Sequence, residues 1–302
     1  MAQKLKLGVI GMSEGNGHPY SWSAIFNGYD EKEMSHCPFP IIPQYLGEQK
    51  FPEDFLNEHA EVTHIWTQDK RVSEQIAKAA LIHHVCAELE DMIGEVDGVL
   101  LGRDDAENHL KFARPFIEAG IPIYIDKPFA LSMKSAEELW ALSNNNDQIF
   151  TCSALQFARE FQTDKLNLEL LGEVRCIWAT VPKSWSKYAV HIIEPVMNLF
   201  PDRGKLKDVK RLALNSDQVN GVQVEWSSGI QAQFQTTGHL PSPLIVRILG
   251  TKGYQELKFE DAFFAFRFAL KRFVDIIKGQ KNNIPRSWTK EMVKILEAGF
   301  HA

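Results

Sequence analysis

VDGVLLGRDDAENHLKFARPFIEAGIPIYIDKPF, residues 96–129, carries the pattern that decides the fold. DGVLLG and IPIYI are short apolar runs rich in β-branched or aromatic residues, as strands are. Between them AENHLKFARPFIEAG sets Leu110, Ala113 and Ile117 on one helical stripe and closes on Gly120, the residue type that ends helices. The same strand–helix alternation runs through LKLGVI (5–10), VTHIWT (62–67), SAEELWALSNNN (135–146, with Leu139, Trp140 and Leu142 inward) and QIFTCS (148–153). Strands that are apolar throughout, alternating with helices, predict a parallel sheet covered on both faces. The fold class expected is therefore α/β with a doubly wound N-terminal sheet.

Beyond about residue 155 the pattern changes. VQVEWSSGIQAQFQTT (222–237) alternates apolar and polar residues around a Ser-Ser-Gly turn, and LIVRILGTKGYQELKF (244–259) reads as a second hairpin. DAFFAFRFALKRFVDIIKG (261–279) predicts a helix with Asp261 as N-cap, Gly279 past its end, and a core or subunit-contact stripe of Phe263, Phe266, Leu270, Phe273 and Ile277. A chain of 302 residues exceeds what one core supports. The division expected is 1–154 for the doubly wound domain and 155–302 for an α+β domain with a largely antiparallel sheet. An insertion, about 29–61, carries four prolines and reads as a lid or subunit contact in which Phe39, Ile41, Ile42, Tyr45 and Leu46 need burial.

The formal net charge of -6 gives no basic field for nucleic acid. No apolar run is long enough to span a bilayer, and the N-terminal one is too short and wrongly flanked for a signal peptide. Cys37, Cys86, Cys152 and Cys176 form no CxxC pair, which points to a reduced, cytoplasmic protein. His83, His84 and Cys86 do not predict a metal site, because neighbours on a strand face opposite ways.

The first strand runs into GMSEGNGHPYSW, residues 11–22. Helix N-terminal amides near Pro19 offer an anion site at Gly15 to His18. The order G-x-G-x-x-G is broken, with Ser13 and Asn16 at the second and third glycine positions, and Glu14 competes for the same amides. Read alone, the cluster is a modified dinucleotide turn or a structural turn. Asp69 in WTQDK stands where an acid would hold a ribose hydroxyl, or simply starts the next helix. Asp105 suits an N-cap near Ala106.

The DKP segment with its upstream His109 resembles the Gfo/Idh/MocA family of NAD(P)-dependent oxidoreductases, in which a strand ending in Thr-Pro-Asn is followed by a His and then Glu-Lys-Pro. The resemblance spans essentially the whole chain. It implies a Rossmann domain, NAD or NADP as cofactor, and hydride transfer to or from a hydroxyl or carbonyl of a sugar, sugar nucleotide or cyclitol. Lys127 is then the active-site lysine that hydrogen-bonds the reacting oxygen, and Pro128 the proline that fixes its turn. WSKYAVHIIEP resembles the family's D-x-G-x-H-x-x-D, placing His191 as acid/base, with Lys187, Ala189 and Glu194 at the Asp, Gly and second Asp positions. Tyr188 is a candidate phenolic donor. The resemblance further implies cofactor contacts at Gly11, Ser13, Gly15, Asn16, Gly17, Asp69, Asp104 (or Arg103), His109, Asp126, Lys127 and Pro128. Substrate contacts are expected at His18, Tyr20, Lys187 and Arg159, the last with a surface ion pair as its alternative. A homodimer or homotetramer through the second sheet is implied. The rival readings are a ligand-binding or regulatory protein on the same fold, and an enzyme using tightly bound NAD for non-redox chemistry.

Overall fold

The computed structural model describes residues 4–143, 145–214 and 219–300. Asn144, within the SAEELWALSNNN stretch, lies outside them. Contacts divide the chain into two compact units. The first comprises residues 1–129, 137–151 and 266–284, and the second 130–136, 152–265 and 285–302.

The first unit is built on β1 (Leu5–Gly11), β2 (Ala60–Thr67), β3 (His84–Val85), β4 (Gly98–Leu101), β5 (Ile123–Ile125) and β6 (Ile149–Thr151). All pair parallel, in the order β3-β2-β1-β4-β5-β6. Helices α1 (His18–Asn27), α4 (Lys70–Ala79) and α5 (His109–Glu118) make the crossovers. The order reverses between β1 and β4, and the crevice at the carboxyl ends of strands flanking such a switch point is where ligands bind in open α/β sheets.

The insertion is folded. Asp30 caps α2 (Glu31–Met34) by accepting the Glu33 amide at 2.8 Å, and α3 (Ile41–Gly47) follows. Met34, Ile42, Tyr45, Leu46 and Leu56 are buried, and burial pushes the Tyr45 hydroxyl well above its ordinary range. Ile41, expected inside, is 59 % exposed: adjacent residues on one helical turn cannot share a face.

The late helix α10 (Ala262–Ile277) begins as predicted, Asp261 Oδ1 accepting the Phe264 amide at 3.1 Å. Its stripe serves two cores. Phe263 is buried in the second unit, whereas Phe273 stacks on Phe150 in the first (centroids 5.9 Å apart), and a Cβ on Gly98 would meet Ile277 at 2.7 Å. A single cut near residue 154 misses this return, because periodicity identifies an apolar face but not the sheet it covers.

The second unit holds β7 (Val174–Val181), β8 (Leu206–Arg211), β9 (Asn220–Trp226), β10 (Gln231–Thr236), β11 (Ile245–Gly250) and β12 (Tyr254–Lys258), in the order β12-β11-β7-β10-β9-β8. Only β7 and β10 pair parallel. Burial alternates along them: Ile177, Ala179, Val222, Val224, Ala232 and Phe234 face inward, while Trp178 stands 42 % exposed on the other side. The inner face is covered by α9 (Val190–Leu199) and α11 (Arg286–Ala298), tied to α8 (Trp185–Tyr188) where Trp185 Nε1 donates to Leu296 O at 2.8 Å. Among the described residues no helix is long and apolar enough to cross a membrane.

Candidate functional site

The turn after β1 is a closed loop with an open tip. Asn16 N–H donates to Ser13 O at 3.2 Å, which leaves Glu14 and Gly15 at the exposed centre. Gly15 has φ +77°, the value that favours glycine at the third turn position, and a Cβ there would meet nothing within 4 Å. The other glycines serve packing. A Cβ on Gly11 would lie 2.3 Å from Pro19 Cγ, and one on Gly17 would lie 2.5 Å from Ile42 and 2.6 Å from Phe39 of the insertion.

The anion site expected at the start of α1 is filled from within. Asn16 Oδ1 accepts the His18 amide at 2.8 Å, Pro19 has no amide hydrogen, and the Tyr20 and Ser21 amides donate to Gly17 O. The turn is also clamped to neighbouring strand ends. Gln68, after β2, accepts the Met12 amide at 3.0 Å and donates to Met12 O, and Arg103, after β4, donates to Met12 O at 2.7 Å.

At the carboxyl ends of β1, β4 and β5 a buried polar cluster brings six predicted residues together. Ser13 Oγ donates to Asp104 Oδ1 at 2.7 Å and accepts the Asp104 amide at 3.1 Å. Lys127 Nζ, 6 % exposed as a residue, stands 3.5 Å from Asp104 Oδ2. Asp126 accepts Asn16 Nδ2 at 2.8 Å on Oδ2, the Lys127 amide at 2.7 Å on Oδ1, and His18 Nδ1 lies 2.6 Å from the same Oδ2. Two carboxylates thus hold one lysine and one histidine in one cluster, and a cation so fixed is suited to polarise a hydroxyl or carbonyl oxygen. The Lys127–Pro128 peptide is cis.

Other predicted residues lie apart. His109 is fully buried and bridges Arg103 O (2.8 Å from Nε2) and Phe129 O (3.1 Å from Nδ1), tying the loop after β4 to the loop after β5. Tyr20, expected at the mouth, is 1 % exposed, and desolvation pushes its hydroxyl up to about 12. Asp69 is exposed and caps α4 through the Arg71 amide at 2.9 Å. Asp105 makes no side-chain cap: it pairs with Arg103 at 2.9 and 2.5 Å and accepts Asn108 Nδ2 at 2.6 Å. Burial works to raise its carboxyl, but those donors and the guanidinium charge hold it below its ordinary value. His84 stacks on His64 at 4.7 Å, and desolvation lifts the Cys86 thiol to about 11. Among the described residues no three His, Cys, Asp or Glu side chains are grouped as a metal ion requires.

In the second unit His191 and Glu194 are organised by Ser153, at the end of the QIFTCS stretch. Ser153 Oγ lies 2.8 Å from His191 Nδ1, and its amide donates to Glu194 Oε2 at 2.5 Å. Gln156 Nε2 donates to the same oxygen at 3.3 Å. Complete burial drives the Glu194 carboxyl up to about 8, against the lowering effect of the Ser153 amide. Tyr188 meets the His191 ring edge-on at 5.4 Å and accepts Lys183 Nζ at 2.6 Å. Lys187 is half-buried at the end of α8. Arg159 is exposed, lies over the Phe264 ring at 3.6 Å and stands 3.9 Å from Asp261, the surface pairing that was its alternative. Ser153, Gln68 and Lys183 escaped the sequence reading. Each is a lone polar residue at the end of an apolar run, without motif spacing.

Residues 45–153 match the family model described as oxidoreductase family, NAD-binding Rossmann fold (GFO_IDH_MocA), so the glycine turn precedes the matched stretch. No curated protein matches the sequence. Among solved structures, GenD2 from gentamicin A biosynthesis, in complex with NAD, is similar with TM-score 0.74 and 16% identity over 99% of this chain and 94% of that one. The myo-inositol 2-dehydrogenase of Lactobacillus plantarum gives 0.71 and 12% over 98% and 97%. The biliverdin reductase of Synechocystis, in complex with biliverdin and NADP+, gives 0.70 and 13% over 97% of each. At such identities these likenesses establish the fold. The open backbone at Gly15, the acid after β2 and the crevice at the switch point fit a dinucleotide, with the first amides of α1 already satisfied. Residues 45–153 are thus similar to the NAD-binding Rossmann domain of the Gfo/Idh/MocA oxidoreductases, and the solved structures share the fold over nearly the whole chain.

Proposed function

We propose that the protein is a nicotinamide-dependent dehydrogenase or reductase acting on a hydroxyl or carbonyl of a sugar, sugar nucleotide or cyclitol. The buried Ser13–Asp104–Lys127 arrangement at the switch point carries the reading, because it fixes a cation where the fold receives ligands. Bound NAD or NADP supplies a hydride acceptor or donor. Gly15 offers open backbone to the phosphates at the turn tip, and Asp69 offers a carboxylate to a ribose hydroxyl while Lys70 and Arg71 beside it suit a 2′-phosphate. Lys127 holds the reacting oxygen, with Asp104 fixing its ammonium. The family resemblance nominates His191, whose ring Ser153 meets, for the proton, with Tyr188, held by Lys183, as a candidate phenolic donor.

The exposed face of the second sheet, with Trp178, Thr180, Gln233 and Arg247 around a shallow groove, supports a homodimer or homotetramer built on that face. Four free cysteines suit a reducing, cytoplasmic compartment.

A ligand-binding protein without redox activity is the competing reading, favoured by the capped His18 amide and the filled space at Gly17. Titration with NADH and NADPH, followed by nicotinamide fluorescence, separates the two, together with nucleotide analysis of the protein as isolated. Saturable binding of either is expected. No binding and no co-purified nucleotide would sink the oxidoreductase reading.

A further inference from the structure

The cluster after β1 and β5 contains a pair that the family resemblance does not use. His18 is oriented on every side. Its Nδ1 lies 2.6 Å from Asp126 Oδ2, its ring stacks on Trp22 at 4.6 Å with an interplanar angle of 15°, and Phe266 meets it edge-on at 5.0 Å. Its amide is held by Asn16. Trp22 in turn stacks on Tyr124 at 4.8 Å, so the column is founded in the core. Asp126 is 1 % exposed and is itself fixed by Asn16 Nδ2 and the Lys127 amide. The His18 side chain remains 15 % exposed, and its Nε2 has no hydrogen-bond partner among the described residues. An imidazole with one nitrogen anchored on a buried carboxylate and the other open is the arrangement of a general acid or base: the carboxylate fixes the tautomer and balances the cation that forms.

We propose that His18, oriented by Asp126, is the group that exchanges the proton with the substrate hydroxyl. The assignment rests on the oxidoreductase reading and departs from it in the identity of the base. In the oxidative direction the substrate carbon is oxidised to a carbonyl and its hydride goes to the oxidised nicotinamide. The O–H bond breaks and its proton passes to His18 Nε2, while Nδ1–H stays on Asp126. In the reductive direction the same proton returns to the oxygen. His191 is differently set: its Nδ1 lies beside the Ser153 hydroxyl, and Glu194, three residues on, gives its carboxyl to the Ser153 amide and Gln156.

The test uses the full chain as wild type, His18→Gln, His18→Ala, Asp126→Asn and His191→Asn. Carbethoxylation by diethyl pyrocarbonate, mapped by mass spectrometry, reads the open nitrogen without turnover. His18 is expected to react in the wild type, several-fold more slowly in Asp126→Asn, and about tenfold more slowly when NADH is present. Oxidation of myo- and scyllo-inositol with NAD then reads the chemistry. His18→Gln and Asp126→Asn are expected to lower kcat by about 10²–10⁴-fold with NADH affinity within a few-fold, and imidazole to restore part of the rate to His18→Ala. An unreactive His18, or one that NADH binds without protecting, overturns the proposal, as does a loss confined to His191→Asn. Failure of NADH to bind the wild type overturns the oxidoreductase reading instead, and leaves the reactivity of His18 and its dependence on Asp126 to be read by themselves.

Discussion

Glu194→Gln should turn a pH-dependent stability into a nearly flat one. Glu194 is wholly buried beside Ser153 and Gln156, and desolvation lifts its carboxyl from 4.5 to about 8. A carboxyl raised in the folded state binds its proton more tightly there than in the unfolded chain. Its contribution is fully present below about 4.5 and is lost progressively as pH climbs through about 8. At about 1.4 kcal/mol per unit, a shift of that size corresponds to about 5 kcal/mol of stability forfeited across the window. Glutamine keeps an oxygen for the Ser153 amide and never ionises. Wild type and variant should therefore be close at pH 5, and the variant should be the more stable by several kcal/mol at pH 8.5. Denaturant unfolding of both proteins at half-unit steps from pH 5 to 9, followed by tryptophan fluorescence, measures the difference. Parallel curves would refute the reasoning, since they would mean that Glu194 already ionises in the folded protein without cost.

Lys127→Ala should lower turnover at least 100-fold while leaving NADH affinity within a few-fold, and should cost about 3 kcal/mol because Asp104 loses its buried cation; equal losses of turnover and affinity would show that Lys127 only positions nucleotide. Gly17→Ala should cost about 1–3 kcal/mol in thermal unfolding, its new methyl meeting Phe39 and Ile42 at 2.6 and 2.5 Å, and Phe39→Leu in the same chain should recover part of that loss. Ser153→Ala, which keeps the amide but removes the partner of His191 Nδ1, should cost about 1–3 kcal/mol and shift the His191 ring resonances; unchanged resonances would deny that Ser153 orients the ring.

The parallel sheet could be read from the sequence because its strands are apolar without interruption and its helices end on glycine. The antiparallel strands announced themselves by period-two alternation, which burial of Val222, Val224, Ala232 and Phe234 follows. Asp126 and Lys127 were legible for a different reason: a charged pair set between a buried strand and a proline has few places to go. What escaped was anything that depends on two distant segments. Ser153 and His191 are 38 residues apart, Asn16 and Asp126 110, and no local pattern couples them. Asp105 differs for a local reason: a buried guanidinium two residues away competes with the backbone amides for the same carboxylate and wins on charge.

The glycine turn shows how a motif can keep its composition and change its use. In the usual fingerprint the glycines leave room for a pyrophosphate, for the turn itself and for helix–strand packing. Here Gly11 retains the packing role against Pro19, Gly15 the turn, and Gly17 admits the insertion, whose Phe39 and Ile42 sit where a side chain would otherwise stand. Asn16 then supplies from within the acceptor that an incoming phosphate would have supplied to the His18 amide, and its other end braces Asp126. The exchange of Gly for Asn at residue 16 is thus tied to the presence of His18 beside Asp126: the same side chain that quiets the helix N-terminus as an anion site builds the carboxylate–imidazole pair. A chain altered only at Asn16, by Asn16→Gly, should loosen both at once, strengthening phosphate contact at the turn while weakening the hold of Asp126 on His18.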